Sequence, residues 1–153
     1  MYRRRGKYRF SQKEVWNLDY YLAEIILIGL KQFKEGNRHG YPSCVEGIHC
    51  TDAGVNQKDL ISKWEEILDK MIWSFDQIVN DRKDDPLDIY FSQRRDIDAI
   101  FESKNGIEEW IEGINKDNKR SIPDDVMKAH TEYYERVQEG LVLFGKYFQD
   151  LWD

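Results

Sequence analysis

Two histidines and two cysteines, His39, Cys44, His49 and Cys50, fall within twelve residues of one another. Zinc takes four nitrogen or sulfur ligands in near-tetrahedral geometry, and these four side chains match that number and kind. Their spacing does not match a zinc finger, however, and the adjacent His49 and Cys50 do not readily chelate one ion. Ordinary loop residues are the simpler reading, and no metal ligand is expected. Paired carboxylates at i, i+3 are the second chemical signal: Glu66 with Asp69, Glu109 with Glu112, and Glu132 with Glu135. Helical nucleotide pyrophosphohydrolases hold magnesium with such pairs, so an enzyme of that kind is an alternative reading. With 29 acidic residues among 153, several pairs at this spacing arise by chance. No Gly-x-Ser-x-Gly elbow, phosphate loop or His-Glu-x-x-His run is present. The expectation is a non-enzymatic chain with no catalytic residue and no cofactor.

Cations and aromatic rings point to binding instead. Arg3, Arg4, Arg5, Lys7 and Arg9 sit in the first ten residues without an acid among them, although the chain as a whole carries −6. The rest of the chain is therefore more acidic than the total suggests. Such a body lacks the broad basic face that duplex DNA requires, so no sequence-specific duplex DNA partner is expected. A small anion such as a nucleotide needs guanidinium forks for phosphate and an aromatic face for a base. Arg3, Arg4, Arg5, Tyr8, Arg9, Tyr41, Arg94 and Arg95 are the residues expected to supply them. The competing reading is that surface Tyr and Arg are common and that residues 1–10 are a solvated basic arm.

Three segments have the period of helices that would position these groups. Ser11 and Glu14 form a capping-box pair. Trp16, Tyr20, Ala23, Leu27 and Leu30 follow at three- and four-residue steps, ending near Gly36. Ile25 and Ile28 fall off this stripe, so the helix is apolar on most sides and is expected at the centre. Its Asp19 and Glu24 would then need cationic partners such as Lys70, Arg136 or Lys146. The second helix spans about 57–80 behind Asn56. Its seam is Leu60, Trp64, Ile67, Met71, Phe75 and Ile78, with Lys63, Glu66, Lys70 and Gln77 facing water. The third begins near Ser121 and Pro123 and carries Met127, His130, Tyr134, Val137, Leu141, Phe144, Phe148 and Leu151 on one stripe. Gly140 and Gly145 lie inside it. A helical glycine costs about 1 kcal/mol against alanine, an expense that suits a close backbone crossing.

Between these helices lie a glycine-rich loop over 36–55 and a mixed region over 81–120, with short helices expected over 87–101 and near 107–114. The fold expected is all-α: three long helices in an antiparallel bundle, a long first loop, and short extra helices between the second and third. The organisation expected is a basic arm (1–10) followed by a single domain (11–153). No apolar run is long enough to span a membrane, so no membrane partner is expected. Trp64, Trp73, Trp110 and Trp152 exceed what one small bundle must bury, which makes a homo-oligomer through a shared helix face a further possibility.

Three stretches together carry a resemblance: 8–34, 63–75 and 136–152. Within or beside them stand Trp16-Asn17-Leu18-Asp19, Gly40-Tyr41-Pro42, Trp64 to Ile72, and Glu139 to Asp153. The chain resembles a widespread group of small phage-encoded helical proteins of unassigned function, over about a third to a half of its length. Region 81–120 lies outside the shared pattern. The resemblance implies a phage or prophage product acting in the cytoplasm of an infected bacterium. Its implied role is that of a binder of a host factor, which sequesters a nucleotide immune signal or blocks an immune protein. A bacterial host protein or a small anionic nucleotide is the partner expected, and a structural or assembly protein is the alternative.

Overall fold

Ser11 begins the helical part of the chain as its spacing predicts. Its hydroxyl accepts the Glu14 amide at 3.3 Å, and the Glu14 carboxylate accepts the Ser11 amide at 2.7 Å. The computed structural model describes residues 2–4, 7–9, 11–36, 40–92 and 122–151, the first two groups by their backbone alone. Among these residues the protein is mostly helical. The helix capped by Ser11, α1 (Gln12–Trp16), is short, and the chain breaks at Asn17 before α2 (Leu18–Glu35). The single long helix expected here is thus two, because Asn17 leaves helical geometry (φ −117°, ψ 45°) while the apolar period continues past it. α3 (Gln57–Val79) starts behind Asn56, whose side chain accepts the Lys58 amide at 3.1 Å. α4 (Pro86–Ser92) and α5 (Asp124–Tyr147) follow, and a 3₁₀ turn (Phe148–Asp150) ends the described chain. The expected start of the third helix at Ser121 and the helix near 107–114 lie outside the described residues.

Two small ladders accompany the helices. β1 (Tyr2–Arg4) pairs antiparallel with β2 (Lys7–Arg9), with Arg3 level with Tyr8. β3 (Cys44–Val45) pairs with β4 (Ile48–His49) inside the segment read from the sequence as a loop. Glu46 and Gly47 both hold positive φ, 50° and 81°, as a two-residue hairpin turn requires. That hairpin is part of the core. Val45 is fully buried, and Tyr41, Ile48, Cys50 and Val55 pack against the cluster around it. The pattern was hidden because the strands are two residues long and one turn position is a glutamate.

The chain divides into two compact units. The first comprises 1–81 and 136–153, and its centre is α3. Leu60, Trp64, Ile67, Leu68, Met71 and Phe75 are buried there with Ala23, Leu27 and Leu30 of α2 and Tyr147 of α5. Ion pairs join the helices at their edges. Lys31 meets Asp76 at 3.3 Å, Lys34 reaches Asp69, and Lys70 meets Glu139 at 2.6 Å. Between α2 and α3 the partner number falls from Asp76 to Asp69 as the lysine number rises from 31 to 34. Arg136 places its guanidinium 3.9 Å from the Trp73 ring centre, a cation–π contact.

Gly140 explains how α5 approaches so closely. A β-carbon there would stand 2.0 Å from Ser74 Oγ and 2.5 Å from the Lys70 carbonyl oxygen. This is the crossing expected of a helical glycine, whereas Gly145 has open space beside it. The stripe expected for α5 holds in part: Val137 is buried, and Leu141, Phe144 and Leu151 pack against the core. Tyr133, Val137, Gly140 and Tyr147 are buried, while Met127, Tyr134 and Phe148 are exposed. Residues three, four and seven places from the glycine share its face. Gln77, expected in water, is buried on the same flank of α3 as Ser74.

The centre of this unit is α3 and not α2. Ile25 and Ile28 are exposed, as are Asp19 and Glu24, which therefore need no buried partner. Lys70 is bonded to Glu139 in their place.

Candidate functional site

Eight residues were expected to bind an anion, and Tyr41 is the one whose side chain is described. It is half-buried and packs against the core around Val45. Arg3, Arg4, Tyr8 and Arg9 lie in the β1–β2 ladder, which brings Tyr2 level with Arg9 and Arg3 level with Tyr8. Arg5, Arg94 and Arg95 lie outside the described residues. Tyr133, an aromatic residue off the expected stripe, is buried and belongs to a different cluster.

Cys44 and His49 are level with each other across the β3–β4 ladder, and Cys44 and Cys50 are free thiols. His39 lies outside the described residues. Among the described residues no three metal-ligating side chains converge. Of the carboxylate pairs, Asp69 is engaged by Lys34, and Glu132 faces Lys128 at 3.9 Å on the same helix. Glu109 and Glu112 lie outside the described residues.

The second unit, 82–135, holds a buried polar arrangement. Asp85 is buried at 3% exposure. Its Oδ1 accepts the Leu87 amide at 2.9 Å, which caps α4, and lies 2.8 Å from His130 Nδ1 on α5. Tyr133, one turn beyond His130, is buried beside them. Burial and then the Asp85 carboxylate push its phenol above the ordinary tyrosine value. A carboxylate holding His Nδ1 is the orienting half of a catalytic triad, whose other half is a nucleophile on Nε2. Among the described residues no hydroxyl or thiol bonds to His130 Nε2. The arrangement as it stands is a clamp between the start of α4 and the middle of α5. No local pattern announces it, because Asp85 and His130 are 45 positions apart.

A third feature is apolar. α2 turns Ala23, Leu27 and Leu30 toward the core. On its opposite side Leu18, Leu22, Ile25 and Ile28 are 37–52% exposed. Val15 and Trp16, at the end of α1, are 55% and 82% exposed. The signal for this face was present in the sequence as Ile25 and Ile28, which do not fit the inward stripe.

No family model, curated protein or solved structure matches this chain. Among the described residues no helix is long and apolar enough to cross a membrane.

The apolar face stands apart from the other two. Scattered exposed apolar residues are normal on any protein. Here they form a line along one side of a helix whose other side is already buried.

Proposed function

We propose that the chain is a non-enzymatic binding protein that works by contact with other proteins through the outer face of α1 and α2. The exposed line of Leu18, Leu22, Ile25 and Ile28, opposite the buried line of the same helix, carries this reading. The scaffold behind it is an antiparallel bundle of α2, α3 and the end of α5. The pairs Lys31–Asp76 and Lys34–Asp69 support that description for α2, and Lys70–Glu139 with Trp73–Arg136 support it for the end of α5. The motif resemblance supports the wider context: a phage product acting in the cytoplasm of its bacterial host, where it binds and blocks a host factor. A protein target fits an apolar helical face better than a nucleotide does, since a nucleotide needs cations and a cleft.

Affinity capture from a bacterial lysate, followed by titration of the recovered protein with purified chain, tests this reading. A host protein that binds wild type and loses at least tenfold in affinity for Ile25→Asp supports it. Undiminished binding by Ile25→Asp overturns it, and so does heat from a cyclic di- or trinucleotide with no protein partner.

A further inference from the structure

We draw no further inference here: the strongest candidate, the Asp85–His130 pair that joins the start of α4 to the middle of α5, belongs to the site already described, and nothing in the structure shows what ligand His130 Nε2 would meet.

Discussion

α2 and α3 are both rich in large apolar side chains, yet they spend them differently. α3 buries Leu60, Trp64, Ile67, Leu68, Met71 and Phe75, and Ile61 is its one large apolar residue left substantially exposed. α2 buries Ala23, Leu27 and Leu30 and leaves Leu18, Leu22, Ile25 and Ile28 in the open. The difference is one of neighbours. α3 is flanked within its unit by α2 on one side and by the end of α5 on another, so most of its circumference is covered. Among the described residues, α2 packs against α3 on one side and leaves the other in the open. Apolar character around a helix says that it must be covered and leaves open which chain covers it.

The sharpest way to break this contrast is to push α5 off α3. Gly140→Ala should destabilise the protein by about 3 kcal/mol or more, because the new methyl meets the Lys70 carbonyl, which is backbone and yields little. Gly145→Ala, on the same helix with open space, should instead gain up to about 1 kcal/mol. Urea midpoints of the two variants, measured side by side, decide it. Opposite signs locate the crossing at Gly140, and equal effects would remove it.

Next in size is a pair of truncations. Leu68→Ala at the centre of α3 should cost about 2–5 kcal/mol. Ile28→Ala on the outer side of α2 should stay within about 0.5 kcal/mol, in thermal melts dilute enough to keep the chain monomeric. A large loss from Ile28→Ala would mean that the outer side of α2 is covered within a single chain.

The clamp in the second unit offers a smaller effect. Asp85→Ala removes the α4 cap and the His130 partner together and should cost about 1–3 kcal/mol. A double-mutant cycle with His130→Ala separates the two contributions. Zero coupling between the sites would reduce Asp85 to a cap alone.

The smallest effect appears at high pH. Burial raises the Tyr133 phenol above its ordinary 10.0, and the bond to Glu139 raises the Lys70 ammonium above its ordinary 10.5. Both groups hold their protons more tightly when folded. The unfolded chain therefore releases them first, and stability that is full below pH 10 declines as pH rises above it. Tyr133→Phe should make that decline shallower in melting curves across the alkaline range, and an unchanged slope would count against Tyr133.

Some of these features could be read before the fold was known, and the reason is locality. The Ser11–Glu14 box and the Asn56 cap involve residues no more than three positions apart, so their chemistry is written in one short string. Gly140 was legible because glycine is costly in a helix and needs a cause. What stayed hidden depends on distant partners. Gly140 meets Ser74, 66 positions away, and Asp85 meets His130 only once the chain has folded. The β3–β4 hairpin was missed because Glu46 takes a backbone conformation usually left to glycine, asparagine or aspartate. The anion-binding residues were chosen by type alone. Type shows what a side chain can hold and is silent on whether the fold assembles it, and Tyr41 went to the core.

The amide of Glu46 donates to the Tyr147 hydroxyl at 2.9 Å, across 101 positions. A ribosome releases this turn long before it reaches the tyrosine that fastens it. Until then the hairpin lacks its latch, and the left-handed Glu46 has its own ladder and the Lys63 ion pair at 3.5 Å. Tyr147→Phe should accordingly leave the helices nearly intact and speed amide exchange at Glu46, so that α5 times when the β3–β4 turn locks.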